Sequence, residues 1–335
     1  MRTPTFILIS LAVALAVFLL FRYPHNEYLF VAGYVVLQYV VLATAWNILG
    51  GYTGYVNFGS AAFFAIGVYS SVALITFATV IGEWFPENIA AILNTIFPLP
   101  IPVLIVVAGV MSGLVGFGTG YLTLRLRGAF FAIATLALAV VLQTLVVNWD
   151  FVGGSSGAYV IRPAEFPLLG SYMQYLFALM LALAVAALVI ARTIERSRLG
   201  LGFAAIRDNE LAAEASGVPT LRLKLIATTL SGALMGMAGA PFPYFLGFVQ
   251  PQSAFGLEYA VNSIAMPMIG GTMNWIGPLV GAVLLGTLQQ VATVTISSAV
   301  NLLLVGLLLI FFVIAAPNGL VGLVQERLRA WRQKK

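Results

Sequence analysis

Ten apolar stretches leave this chain few ways to fold. They lie near residues 5–21, 28–49, 56–79, 101–123, 129–148, 172–193, 222–246, 257–270, 277–297 and 299–316. A helix needs about 20 apolar residues to cross the hydrocarbon of a bilayer, and most of these runs have that length. The eighth is short enough for a half-helix or a re-entrant segment, and Gly and Pro interrupt its ends as they do those of the third. Helix breakers at membrane depth are tolerated only where protein or a cavity covers the backbone. Hydrophobic residues make up 61% of the chain and charged residues 8%, whereas a soluble domain carries roughly a quarter charged residues. The mean hydropathy is +1.03. The expected class is therefore all-α, a polytopic integral membrane helix bundle forming one transmembrane domain over residues 1–335. It has about ten membrane-embedded helices, broken or re-entrant segments among them. Phe21-Arg-Tyr-Pro-His25 follows the first run where a signal peptide would have a small-residue cleavage site, so that run reads as a helix.

Charge orients the bundle. Cytoplasmic segments collect Lys and Arg. With the N-terminus inside, only Arg22 and Arg162 of the 16 Lys and Arg fall outside. Both termini are then cytoplasmic, and residues 317–335 form a basic cytoplasmic tail. The excess positive charge sits beside the anionic inner leaflet, which accounts for the basic balance with a lipid bilayer as partner and no nucleic acid.

The longest polar interval runs from Arg192 to Lys224 and holds six of the 16 basic residues. A short helix over 204–217 is expected inside it. Asp208 or Asn209 can cap its N-terminus, and Glu210 places negative charge where the helix dipole favours it. Gly217 followed by Pro219 ends it, and Thr220 can cap the long helix that follows. Leu211, Ala212 and Ala215 form a narrow apolar stripe. On these features alone, an ordinary surface loop and a docking element both fit.

Several runs carry a resemblance. Ser197-Arg-Leu-Gly-Leu-Gly-Phe-Ala-Ala-Ile-Arg-Asp-Asn-Glu-Leu-Ala-Ala-Glu-Ala-Ser-Gly217 is one. Gly50-Gly-Tyr-Thr-Gly-Tyr-Val-Asn-Phe-Gly-Ser-Ala-Ala-Phe-Phe-Ala-Ile-Gly-Val-Tyr69 and Leu124-Arg-Leu-Arg-Gly-Ala-Phe-Phe-Ala-Ile-Ala-Thr-Leu-Ala137 are others. Gly270-Gly271 with Gly277-Pro-Leu-Val-Gly281, and Pro317-Asn-Gly-Leu-Val-Gly322, complete the set. Together they resemble the permease subunits of branched-chain amino acid ABC importers, from about residue 30 to residue 322. The resemblance implies that residues 194–221 are the cytoplasmic segment that couples to an ATPase. Ala205, Ile206, Arg207, Asp208, Asn209, Glu210, Leu211, Ala212 and Gly217 are its candidate coupling residues. It further implies a second homologous permease subunit in a heterodimer, two ATPase subunits and an extracytoplasmic substrate-binding protein, all at a bacterial inner membrane. ATP and Mg would reside on the partner ATPases, with no cofactor in this chain. Branched-chain or other small amino acids are the implied solutes, with urea or short-chain amides as the alternative. The chain departs from the family at Leu201 and Ala204, where Arg is frequent, and at Tyr55-Val-Asn57, where Gln-Xaa-Ser is frequent.

Other chemistries lack their residues. There is no Cys and a single His, His25, so neither a thiolate site nor a catalytic zinc site is expected. No Gly-x4-Gly-Lys-Ser/Thr is present to bind ATP. Gly153-Gly-Ser-Ser-Gly157 has the spacing of a serine nucleophile but no base to activate it, so it reads as a flexible loop. Glu258 is the one acid near a span and thus a default functional candidate. Proton-coupled transport would want more buried acids than this, although a standalone channel or facilitator remains compatible.

Four small-residue pairs, Gly109/Gly113, Gly116/Gly120, Gly232/Gly236 and Gly277/Gly281, predict close helix contacts. Gly50-Gly51 and Gly270-Gly271 form a weak internal echo, each expected to end a span at the inner face. The outer segments 80–100 and 149–171 read as loops that could serve as a platform for a binding protein. A polar solute needs hydrogen-bonding groups along its route. The densest set at membrane depth is Tyr52, Thr53, Tyr55, Asn57 and Ser60 in the third run. Asn262 and Ser263 of the eighth are placed to face them. Hydrogen bonding between helices is an equally good account of these groups.

Overall fold

The apolar runs that the structure describes are helical because a helix satisfies its own backbone in lipid. The computed structural model describes residues 3–23, 26–161, 165, 166 and 170–295, and beyond these only 303, 306–308, 310–312, 314 and 319–323. The helices in chain order are α1 (Thr3–Arg22), α2 (Glu27–Thr53), α3 (Ser60–Trp84), α4 (Glu87–Ile96), α5 (Ile101–Thr123), α6 (Ala129–Val147) and α7 (Tyr172–Glu195). Then come α8 (Arg198–Ala215), α9 (Thr220–Gly239), α10 (Phe242–Leu246), α11 (Pro251–Ala254), α12 (Leu257–Gly270) and α13 (Ile276–Thr295). Among the described residues, eight helical stretches are long and apolar enough to cross a membrane: α1, α2, α3, α5, α6, α7, α9 with α10, and α13. α12 has 14 residues and reaches only about 21 Å. The tenth expected span, 299–316, and the tail 317–335 lie largely outside the described residues, as do His25 and Arg162.

The polar turns sort to two ends. Arg127, between α5 and α6, pairs with Glu210 and Glu214 of α8. The Trp275 N–H, between α12 and α13, donates to Glu195 at the end of α7. These turns share the basic end. At the opposite end Ala158–Tyr159 pairs antiparallel with Phe248–Val249. The interval 192–224 is thus separated from 149–161 by the length of α7, as the charge pattern requires.

One expectation is corrected here. The segment 80–100 is not a loop. α3 runs on to Trp84, and α4 follows with Ala90 as its buried residue. The aromatic rings of Trp84, Phe85 and Phe97 gather round Phe77 and fold this piece back. The seventh run spans its expected length as two helices. α9 stops at Gly239 and α10 starts after Pro241, a residue with no N–H to continue the ladder. In 149–171 the chain makes two 3₁₀ turns and short strand pairs.

α2 is the hub. Two thirds of its apolar window is buried, 67%, against 6% for α1. α1 is held at the basic end by the Arg192 guanidinium, 3.8 Å above the Phe6 ring. The tightest packing joins α3, α5 and α9 at glycines. A Cβ at Gly236 would collide with Ser112, and one at Gly67 would collide with Gly236 itself. The Ser112 hydroxyl, in mid-α5, bonds to the carbonyls of Phe63 and Gly232, 2.8 Å each. Gly270, Gly277 and Gly281 bring α12 and α13 equally close, and the Gly51 position lies against the Thr272 carbonyl. Gly51 thus lies beside the residue that follows the second Gly-Gly pair. Only Gly271 caps its helix, however; α2 continues through Gly50-Gly51 and turns at Gly54, φ 78°.

Candidate functional site: a surface helix clamped to a broken hairpin

The break between α2 and α3 follows from its residues. Gly54 adopts the left-handed conformation that a side chain resists, and residues 55–59 run without helix. Tyr52 and Thr53 therefore belong to the last turn of α2, not to the third run. Tyr55 and Asn57 lie in the break, and Ser60 opens α3. Broken backbone at this depth must find partners, and it does. The Asn57 carbonyl accepts from Trp46 Nε1 at 2.9 Å, Asn57 Oδ1 accepts from the Gly59 N–H at 2.8 Å, and the Phe58 N–H donates to Thr135 Oγ1 at 3.3 Å. Thr135 is the seventh residue of α6 and Phe63 faces mid-α5, so the break climbs from the basic end well into the bundle.

The remaining candidate pathway residues divide by partner. Thr53 Oγ1 donates to the Leu49 carbonyl at 2.6 Å, and Tyr52 OH reaches the Ala191 carbonyl at 3.4 Å. The Ser60 and Ser263 hydroxyls stand 3.0 Å apart, joining α3 to α12. Asn262 gives Nδ2 to Tyr39 OH at 3.1 Å and accepts from Gln289 Nε2 at 2.9 Å. Its amide thus ties α12 to α2 and α13. Asn57 Nδ2 has no partner among the described residues. Asn57 lines a cavity of about 10 Å³ between α3, α5, α6 and α9, with Thr119, Thr123, Thr135 and Thr228. That is room for about one water.

α8 is longer than the 204–217 expected, because Ser197 caps it through the Leu199 N–H at 3.1 Å. It is two helical segments joined at Asn209, whose φ of −163° and ψ of 104° are extended. Asn209 Oδ1 accepts from the Ala212 N–H at 3.0 Å and caps the second segment. The Gly217 and Val218 N–H groups close the C-terminus on the carbonyls of Glu214 and Ala213. Thr220 does not cap α9. It is the first helical residue after the Pro219 cap, and its hydroxyl donates to Glu214 Oε1 at 2.7 Å. Phe203, Ile206 and Ala213 are buried against the bundle, while Asp208, Asn209, Leu211 and Ala212 are exposed; Ala205 and Arg207 are half-buried and Gly217 is exposed.

Glu210 turns inward. Its Oε1 accepts from Lys224 Nζ at 2.7 Å, and its Oε2 accepts from Tyr55 OH. Lys224 is 3% exposed and spends its three N–H groups on three segments. They go to Glu210, to Tyr55 OH at 3.1 Å and to the Leu124 carbonyl, which ends α5, at 3.1 Å. Arg127 adds charge 3.6 Å from Glu210 and pairs with Glu214 at 3.1 Å. Burial pushes the Glu210 carboxyl up, but the Lys224 and Tyr55 hydrogen bonds and the Lys224 and Arg127 charges outweigh it and hold the carboxyl below its ordinary range. Burial, then the hydrogen bond to Glu210, pushes the Tyr55 phenol up, so it remains a donor.

Sequence reasoning missed Lys224, Arg127, Glu214 and Gly54 as members of this site. A signal existed for Lys224. It stands at four-residue spacing with Thr228, Gly232 and Gly236, the small-residue face that α9 buries.

The family described as "Branched-chain amino acid transport system / permease component" matches residues 28–313. The chain is 28% identical over 316 residues to the high-affinity branched-chain amino acid transport system permease protein LivM of Salmonella typhimurium, covering 87% of this chain and 69% of the relative. The LivM protein of Escherichia coli is 27% identical with the same coverage. The autoinducer 2 import system permease protein LsrC of Yersinia enterocolitica is 27% identical over 53% of this chain and 51% of its own. No solved structure matches.

Proposed function

We propose that this chain, which belongs to the branched-chain amino acid transport system permease family, is one of two homologous permease subunits of an ABC importer in a bacterial inner membrane. Its solutes are branched-chain or other small amino acids, handed over by an extracytoplasmic binding protein. Two ATPase subunits hold ATP and Mg and drive alternating access. The observation that carries this reading is the likeness to LivM across 87% of the chain, joined to a helix at the basic end whose outer side offers Asp208, Leu211 and Ala212 to a partner. The break at 54–59, beside the Asn57 cavity, is the stretch of this subunit best placed to line the route. The likeness to an autoinducer 2 permease covers about half of the chain and favours amino acids less than it favours a broad permease role.

The test is purification and uptake. The chain solubilised from native membranes should bring two ATPase subunits and a second permease, and vesicles holding that complex should accumulate radiolabelled leucine with binding protein and ATP. A complex that accumulates urea or acetamide in place of leucine would redirect the solute assignment. A chain that purifies alone and passes solute without ATP would make it a facilitator.

A further inference from the structure

We infer that Lys224 is a positioning residue that links the outer helix α8 to the α2–α3 break, so that displacement of α8 is transmitted to the break. This rests on the proposed importer role, in which α8 meets the ATPase.

The argument is one of shared partners. Four segments meet at the basic end: α8, the break, the end of α5 and the start of α9. Two direct contacts join α8 to the break at consecutive positions. The Gly54 position abuts Arg207, and Tyr55 OH donates to Glu210. A third member closes the ring, since Lys224 donates to both Glu210 and Tyr55. Its remaining N–H holds the Leu124 carbonyl, so the ring is braced against the α5–α9 seam. A buried charge that loses one partner is strongly destabilised. Glu210 and Tyr55 are bonded to each other as well as to Lys224, so a shift that carries α8 together with the start of α9 draws Tyr55 with it, whereas a shift of α8 alone strips the Lys224 ammonium.

The break is a short arm leading inward from this ring. From Tyr55 it runs two residues to Asn57, whose carbonyl and side chain are fixed by Trp46 and Gly59, and three more to Ser60, bonded to Ser263 of α12. A pull on Tyr55 is delivered to the Asn57 cavity and to the Ser60–Ser263 contact. Arg127, half exposed, reaches Glu210 at 3.6 Å and Glu214 at 3.1 Å and so braces α8 from the outer side of the ring.

The test uses the complete complex with its ATPase subunits, and leucine with binding protein as the probe. Lys224→Met keeps the length of the side chain and removes the three donors. The expected result is normal assembly and normal basal ATP hydrolysis, with leucine-stimulated hydrolysis and leucine uptake reduced about tenfold, an ordinary size for a coupling effect. A second readout follows the arm itself. The chain has no Cys, so Val56→Cys carries a single environment-sensitive fluorophore beside Tyr55. ATP should shift its emission in the parent background and leave it unshifted with Lys224→Met. Should Lys224→Met fail to assemble, Tyr55→Phe deletes one hydroxyl and is read by the same fluorophore, with the same loss of shift expected. Parental uptake or a parental emission shift in an assembled variant overturns the link while leaving the importer role standing. A parent complex that lacks an ATPase overturns both.

Discussion

The α5–α9 seam and the Lys224 ring share one helix and are held by opposite means. Along the seam, Gly113, Gly116, Gly232 and Gly236 remove side chains so that backbones touch, and Ser112 is the polar group bonded across it. Association in lipid gains little from apolar burial and depends on such close packing. At the ring, four segments are joined through a lysine, a glutamate and a tyrosine. Packing of the first kind has one arrangement and resists displacement. A ring of side-chain hydrogen bonds holds its members to one another while leaving their backbones room to shift together.

The contrast is most directly broken at the seam. Gly236→Leu places a branched side chain into Ser112 and the α5 backbone. Overpacking costs about 1–3 kcal/mol and occasionally more, and this site has backbone on both sides. The expected outcome is loss of folded chain, read as yield and monodispersity after detergent extraction. Normal recovery would show that α5 and α9 separate more easily than the glycines suggest.

Glu210→Gln is the next largest. The carboxylate is 13% exposed on its side chain and faces a buried lysine. Removing one partner of a fully buried pair costs about 3–5 kcal/mol, and partial exposure brings the expectation to about 2 kcal/mol. The pH dependence has a definite sign. A carboxyl held below its ordinary 4.5 stabilises the fold fully above that value, and the contribution is lost as pH falls through the lower, folded-state value. The parent should therefore keep its thermal stability from neutral pH down to about pH 5 and lose it below, around the ordinary glutamate range. Glu210→Gln should begin lower and show a shallower loss in acid. Parallel curves for the two would separate Glu210 from the acid transition.

The smallest effect sharpens the boundary of the ring. Arg127 and Glu214 are 50% and 40% exposed, and exposed pairs contribute about 0–1 kcal/mol. Arg127→Ala should change melting by no more than this and leave the Val56 fluorophore response intact. A response lost in Arg127→Ala would extend the ring outward to α8's second carboxylate.

Much of the architecture was legible because bilayer thickness constrains it. The apolar runs and a lopsided distribution of Lys and Arg set the described helices and sort their turns into two ends without reference to any contact. Gly217 and Asn209 announced a helix end and a cap for reasons confined to a few residues. Ser60 and Ser263 could be paired as polar groups at one depth, and they stand 3.0 Å apart.

What only the tertiary structure decided is direction. An acid in a polar interval is free to face a partner or its own bundle, and nothing local distinguishes the two for Glu210. The choice was made by Lys224, fourteen residues on, and by Tyr55, 155 residues away. The extended turn at Asn209 and the left-handed turn at Gly54 bring α8 and the break to the same lysine. Local chemistry sets where a helix starts and stops. Which of its side chains is buried, and against what, depends on segments that sequence distance hides and packing brings together.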